Sequence, residues 1–270
     1  MSKKLRLDIL LLKRSIFPTR EKARSAIMAG RVFVNGHRTD KPGHAFSEDA
    51  EIELKGNSCP YASRGGLKLE KALSVFSVDL KDKIAIDIGA STGGFTDCML
   101  KKGIERVYAV DVGYGQLAWS LRQDERVVNI ERKNARYLTS DDIPEKVHII
   151  TIDVSFISLT KILPVVKEFL LPKGHIISLI KPQFEAGKEY VGKGGVVKRK
   201  EAHIKVLTDI ISFSSDIGLS LRGLDYSPLQ GPAGNMEFLI YLDTSGFTES
   251  NIQVKIENCV LKAHEKYGVL

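Results

Sequence analysis

The stretch Lys83-Ile84-Ala85-Ile86-Asp87-Ile88-Gly89-Ala90-Ser91-Thr92-Gly93-Gly94-Phe95-Thr96-Asp97 joins a β-branched run, ending in an acid, to small residues and then to a helical pattern. That order predicts the first strand, a tight loop and the first helix of an open α/β sheet. Sheets of this kind hold their ligands at the carboxyl ends of the strands. A dinucleotide fingerprint needs Gly-x-Gly-x-x-Gly, and Ser91 stands here at the middle glycine. A nicotinamide dinucleotide is therefore disfavoured, because close backbone approach to a pyrophosphate depends on that glycine.

Further strand-like runs are predicted at Arg106 to Asp111, Arg126 to Ile130, Val147 to Asp153 and His175 to Ile180, with helical stretches between most of them. Alternation of this kind implies a parallel sheet with helices on both faces. Leu67, Leu69, Ala72, Leu73 and Phe76 form the apolar face of a helix leading into the sheet. Past residue 219 the pattern becomes two strands, Ser220 to Asp225 and Met236 to Leu242, joined by Ser227-Pro228-Leu229-Gln230-Gly231-Pro232-Ala233-Gly234.

Charge is distributed unevenly. Residues 1 to 44 hold eleven Lys/Arg against three Asp/Glu, a balance of +8, whereas the chain as a whole is at +7. The entire basic excess thus sits at the amino terminus, as expected of a module that meets a polyanion, nucleic acid foremost. Cys59, Cys98 and Cys259 are odd in number and far apart, without zinc or redox spacing, so no metal is expected and the cysteines read as reduced and cytoplasmic. The apolar run Ile9 to Leu12 is too short for a signal peptide, and no window approaches the roughly 18 apolar residues of a membrane helix.

Within the basic region, Leu5, Leu7 and Ile9 to Leu12 begin a short helix, and Thr19 reads as the N-cap of a second that places Lys22 and Arg24 opposite Ala23, Ala26 and Ile27. Gly30 can end that helix. Arg31 to Arg38 then reads as a strand, an Asn-Gly turn and the start of a partner strand, and Ala50 to Leu54 as another strand. The words Arg-Leu-Asp at 6 to 8, Thr-Arg-x-x-Ala-Arg at 19 to 24 and Gly-Arg-Val-x-Val-Asn-Gly at 30 to 36 resemble the S4 RNA-binding module. The resemblance makes Arg14, Arg20, Lys22, Arg24, Arg31 and Lys41 candidate phosphate contacts. Lys55-Gly56-Asn57-Ser58-Cys59-Pro60 has the composition of a linker, which divides the chain into residues 1–60 and 61–270.

In the body, the Asp-x-Gly-x-x-x-Gly-Gly arrangement at 87 to 94 resembles motif I of S-adenosylmethionine-dependent methyltransferases. It implies a cofactor site at Asp87, Gly89, Ala90, Ser91, Thr92, Gly93, Gly94 and Phe95. Asp111 falls near the offset at which a carboxylate meets ribose hydroxyls, which suits either cofactor, and Asn134 stands where an amide could read the adenine. The closing strand pair fits the antiparallel last strand of a class I, Rossmann-like methyltransferase sheet.

Four further residues are singled out by their words. They are Lys68 in Ser-Arg-Gly-Gly-Leu-Lys-Leu, Asp153 in Thr-Ile-Asp-Val-Ser-Phe, Lys181 in Ile-Lys-Pro-Gln-Phe-Glu and Glu237 in Gly-Asn-Met-Glu-Phe. With them the chain resembles the TlyA, or haemolysin A, family, whose members join an S4 module to an FtsJ-like ribose 2′-O-methyltransferase. The resemblance implies catalytic roles for these four residues and ribosomal RNA or a ribosomal subunit as partner, with cytidine riboses as targets. In the linker, Cys59-Pro60-Tyr61-Ala62 departs from the Arg-x-Trp-Val of some relatives.

The chemistry of such a tetrad is general. A ribose hydroxyl is a poor nucleophile until its proton is removed or shared, and an unperturbed lysine is mostly protonated at neutral pH. A neighbouring ammonium and partial desolvation lower a lysine's pKa while a carboxylate raises it, so two lysines between two carboxylates can be tuned toward general-base duty. Lys181 is assigned as base, Lys68 to hold the hydroxyl, Asp153 to orient Lys181, and Glu237 to position Lys68 or the ribose. The glycine-rich, basic stretch from Glu185 to Lys200 is either a mobile clamp over the site or a solvated connection. Two other classes stay open: a non-enzymatic RNA-binding or ribosome-assembly factor, and a pore-forming haemolysin, for which the chain lacks evident membrane segments.

Overall fold

Val, Ile and Tyr favour a pleated, half-buried backbone, and the runs rich in them become the strands of the computed structural model. It describes residues 4–28, 30–55, 59–246 and 251–268. The chain divides into two compact units, Met1–Cys59 and Pro60–Leu270. Of the expected linker, residues 56–58 lie outside the described residues.

The first unit runs β1 (Lys4–Arg6), α1 (Leu7–Lys13), α2 (Arg20–Met28), β2 (Val32–Val34), β3 (His37–Thr39), β4 (Ala45–Ser47) and β5 (Ile52–Leu54). Leu5 belongs to a strand and not to the first helix. It pairs with Phe46, in a two-stranded β1–β4 ribbon that the sequence did not announce. Thr19 caps α2 as expected, its Oγ1 accepting from Lys22 N at 3.2 Å. Asn35 and Gly36, at φ 51° and 77°, make the tight turn between β2 and β3, and both residues of such a turn need positive φ. Leu7, Leu11, Ala23, Ile27, Val32 and Val34 close the small core.

The second unit begins with α3 (Gly65–Val75) and continues β6 (Ile84–Ile88), α4 (Gly94–Lys101), β7 (Arg106–Val110), α5 (Trp119–Arg122), β8 (Val127–Ile130) and β9 (Val147–Ile152). Then come α6 (Leu163–Val166), β10 (Leu170–Ile180), α7 (Pro182–Glu185), α8 (Lys200–Asp216), β11 (Ser220–Tyr226), β12 (Phe238–Asp243) and α9 (Ile252–Tyr267). The sheet order is β11-β12-β10-β9-β6-β7-β8. The pairs β10–β9, β9–β6, β6–β7 and β7–β8 are parallel, whereas β12 is antiparallel to both β10 and β11. This is the expected class I sheet.

From β6 the chain steps outward to β7 and β8 and then returns to lay β9 on the other side of β6. The strand order reverses there, and such a reversal opens a crevice at the carboxyl ends of the two strands. Ile86, Ile88, Ile150, Ile152, Ile176, Ile180 and Phe238 fill the core, each at most 1% exposed. Burying a side chain of this size stabilises the fold by roughly 1.5–3 kcal/mol. Helix α8 buries Ala202, His203, Val206, Leu207, Ile210 and Ile211, the three-to-four-residue spacing of one helical face, and α9 buries Ile256, Cys259, Val260 and Ala263 in the same way.

Candidate active site

Beyond β6, Gly89 and Gly93 adopt φ of 81° and 91°, which turns the backbone sharply before α4 starts at Gly94. A Cβ on Gly89 would stand 2.5 Å from the carbonyl oxygen of Asp153, the residue that follows β9. Asp153 N donates to Ile88 O at 2.9 Å, so the two strand ends are stitched together at the crevice. Lys181 follows β10 and precedes Pro182, the first residue of α7. A residue before proline is held extended, and Lys181 has φ −109° and ψ 100°. Because β12 runs against its neighbours, Glu237 arrives at the same edge by standing just before its strand.

Two ion pairs result. Lys181 Nζ lies 2.6 Å from Asp153 Oδ1 and donates to Ser155 Oγ at 3.0 Å. The contact with Asp153 lies off the hydrogen-bond axis, leaving Oδ1 without an aligned donor among the described residues. Lys68 Nζ, from α3, lies 2.5 Å from Glu237 Oε2, and the Glu237 side chain is only 2% exposed. A cleft of about 300 Å³ is lined by Lys68, Asp153 and Lys181, by the loop residues Gly89, Ala90, Ser91, Thr92, Gly94 and Phe95, and by the turn Gln230 to Pro232. Glu237 stands behind Lys68.

The remaining candidates make contacts within the protein. Asp87 is fully buried and does not line the cleft. Its carboxylate accepts from Thr96 Oγ1 at 2.6 Å and Thr151 Oγ1 at 2.9 Å, and burial pushes its pKa up to about 6. Gly93, at φ 91°, lies under the side-chain ends of Leu117 and Leu121, which a Cβ would push aside. Asp111 accepts from Ser91 N at 2.8 Å and Gly113 N at 2.7 Å, which ties the loop after β7 to the loop after β6 and leaves lone pairs for a ligand. Asn134 is exposed and accepts from Arg136 N at 3.1 Å as the cap of a short turn.

Sequence reasoning misses Phe156, because an apolar residue after a strand reads as core. It is 90% exposed, holds φ at 64°, and tilts over the Phe184 ring with centroids 4.9 Å apart. Glu185 supports the loop from below, accepting from Leu159 N at 2.8 Å, and burial raises its pKa.

In the first unit the six basic candidates do different things. Arg14 donates to the carbonyl oxygens of Ala50, at 2.8 Å, and Glu48, so its guanidinium staples α1 to the end of the module. Arg20 Nε lies 2.9 Å from the buried Asp8, which Arg6 also engages. Arg31 Nε is buried without a hydrogen-bond partner among the described residues. Lys22, Arg24 and Lys41 are exposed and enter no ion pair among the described residues.

The S4 domain family matches residues 5–52, and the FtsJ-like methyltransferase family matches residues 61–244. YqxC of Bacillus subtilis, described as an rRNA methyltransferase, is 52% identical over 270 residues, covering 100% of this chain and 96% of its own. The 16S/23S rRNA (cytidine-2'-O)-methyltransferase TlyA of Mycobacterium tuberculosis is 39% identical over 265 residues, 97% of this chain and 98% of its own. A solved Streptococcus thermophilus chain described as a hemolysin superposes with a TM-score of 0.79 at 47% identity, covering 99% of this chain and 98% of its own. Sheet order, cleft and sequence therefore agree: the chain belongs to the FtsJ-like methyltransferase family, in the TlyA or haemolysin A branch that carries an S4 domain.

Proposed function

We propose that this protein methylates the 2′-hydroxyl of a cytidine ribose in ribosomal RNA with S-adenosylmethionine as donor, residues 61–270 doing the chemistry and residues 1–60 holding RNA. The observation that carries it is the facing of two Lys–carboxylate pairs, Lys181–Asp153 and Lys68–Glu237, across a cleft walled by the 89–95 loop. The residues fit adenosylmethionine: the loop offers backbone polar groups and small side chains to the cleft, with Asp111 and Asp153 at the strand ends on either side of β6. When bound, that cofactor supplies a methyl group already activated on a sulfonium.

The protein's own part is alignment and proton handling. Lys181, held by Asp153 and Ser155, takes the proton of the attacking hydroxyl as the neutral amine, after its own ammonium proton has passed to solvent. Lys68, fixed by Glu237, holds the ribose oxygen in place. The exposed Phe156 face, backed by Phe184, offers a stacking surface to the base of the target nucleotide, an interaction worth roughly 1–3 kcal/mol per base. On the S4 unit the exposed Lys22, Arg24 and Lys41 meet phosphates, and the partly buried Arg31, its Nε without a hydrogen-bond partner among the described residues, is a fourth candidate. Arg14 and Arg20 keep the module in shape.

The test is methyl transfer from labelled adenosylmethionine to 16S rRNA, to 23S rRNA and to isolated ribosomal subunits from a strain lacking the gene, followed by mapping of 2′-O-methyl positions. Label on cytidine riboses supports the assignment, and the arm that is labelled identifies the subunit. Cofactor binding with every RNA arm unlabelled would remove it.

A further inference from the structure

The basic stretch after α7 closes into a hairpin. Gly192 N donates to Val196 O at 3.0 Å, Gly195 N donates to Gly192 O at 3.0 Å, and a hairpin closes on Val197, which is 1% exposed. Around it stand the exposed Lys188, Lys193, Lys198 and Arg199, none in an ion pair among the described residues. The hairpin's foot is gripped by one side chain. Asn235, 2% exposed, accepts from Val197 N at 3.0 Å and donates through Nδ2 to Gly195 O at 2.9 Å. From the other side His203 Nε2 meets Val197 O at 3.1 Å.

Asn235 also shapes the cleft through its backbone. Its carbonyl accepts from Gly231 N at 2.9 Å, closing the turn that forms a wall of the cleft. Two residues on is Glu237, the partner of Lys68, whose carbonyl accepts from Ser227 N at 2.8 Å. Gly231 packs so close to that carboxylate that a Cβ there would lie 2.7 Å from Glu237 Oε1. A primary amide presents a neutral acceptor and a donor side by side at every pH, as the N–H of Val197 and the carbonyl of Gly195 require.

We infer that Asn235 is a positioning residue that couples the basic hairpin at 192–197 to the Glu237–Lys68 pair, so that an RNA backbone gripping the hairpin also fixes the lysine that holds the ribose. The inference rests on the function proposed above. The cationic rim supplies the phosphate-binding chemistry, and the amide clasp transmits the grip without touching the reacting atoms. Removing a positioning group of this kind lowers turnover more than binding.

The test uses the full chain with Asn235→Ala and the isosteric Asn235→Asp, the latter at a pH high enough to ionise the carboxyl, so that it keeps the Oδ1 acceptor and replaces the Nδ2 donor by an oxygen facing Gly195 O. In hydrogen exchange without RNA, both variants are expected to lose protection at 192–198 and at 227–238 together, while strand β10 is unchanged. On ribosomal subunits, kcat should fall by about 10-fold or more, with the Kd for adenosylmethionine and for the subunit within about 3-fold. In a Glu237→Gln background, Asn235→Asp should lower kcat by less than about 2-fold further, the non-additivity expected of residues acting as a unit. Loosening of the hairpin alone, or full multiplication of the two kinetic effects, overturns the coupling. If the wild type labels no RNA, the proposed function fails, and the exchange pattern alone still decides whether the two segments are coupled.

Discussion

Lys181 and Asp153 meet at 2.6 Å although 28 positions separate them in sequence, because β9 and β10 are parallel neighbours ending at one edge. Ser155 supplies a second partner and so fixes the Lys181 nitrogen from two directions. This geometry separates charge from proton transfer. Lys181→Ala should lower methyl transfer by roughly 10² or more while cofactor and RNA affinities stay within a few fold. Lys181→Arg should fail as well, since a guanidinium stays protonated and cannot accept the proton. Single-turnover rates with titrated active sites measure both, and near-normal turnover in the arginine variant would reassign Lys181 to a purely electrostatic role.

Two glycines of positive φ separate backbone strain from steric clash. Gly115, at 70°, has nothing within 4 Å of a built Cβ, whereas the same atom on Gly89, at 81°, runs into Asp153 O. Gly115→Ala should cost about 1–2 kcal/mol, the penalty of the left-handed conformation. Gly89→Ala should cost more than Gly115→Ala and should also weaken adenosylmethionine binding, since the displaced strand end carries Asp153. Thermal unfolding and calorimetric titration of the two variants side by side check the ordering.

In the acid range two buried groups oppose each other. Burial raises the folded Asp87 to about 6, so its favourable contribution is complete below an ordinary carboxylate pKa of roughly 3.9 and is lost as pH rises through 6. Burial, reinforced by His264, lowers the folded His203 to about 4, so its contribution is present above roughly 6.5 and is lost as pH falls toward 4. Between pH 6.5 and 4.5 the two nearly offset. Relative to wild type, Asp87→Asn should lose about 2 kcal/mol over that interval, and His203→Gln should gain a similar amount. Urea midpoints at the two pH values report both, and parallel curves for all three proteins would contradict the pairing.

Within the S4 unit the basic residues sort by their partners. Arg14→Ala should destabilise the unit by about 1 kcal/mol, because its hydrogen bonds to the two carbonyls are gone, and should leave the salt dependence of RNA binding intact. Replacing Lys22, Arg24 and Lys41 together by Ala should leave stability unchanged and reduce the log-log salt slope by roughly 0.7–0.9 for each phosphate no longer neutralised. Filter binding across a potassium chloride series distinguishes the two sets.

Legibility in the sequence followed the strength of the local pattern. The long β-branched runs announced five parallel strands within a few residues, except that β10 begins at Leu170, ahead of the expected His175, across an irregularity at Lys173. The ribbon of β1 and β4 was hidden because three residues such as Lys4–Arg6 carry no usable periodicity. Lys68, Asp153, Lys181 and Glu237 could be picked out by their words. The expected partnership of Asp153 with Lys181 is found at 2.6 Å, and of the roles left open for Glu237 the fold displays its contact with Lys68 at 2.5 Å. Asp87, which the motif offers as a cofactor contact, accepts internal hydrogen bonds from Thr96 and Thr151 and does not line the cleft, a placement its word in the sequence does not reveal.

The reversed direction of β12 has a consequence for how the protein comes into being. Residues 5–52 emerge from the ribosome first, and Glu237 only some 185 positions later. At typical synthesis speeds the interval is roughly 10 to 40 seconds. Throughout it the basic module is complete while Lys68 has no carboxylate partner, because the strand that brings Glu237 to the cleft has not been made. A chain arrested before Met236 thus carries the whole S4 domain without a finished cleft, because the strand that brings Glu237 beside Lys68 is still to be made.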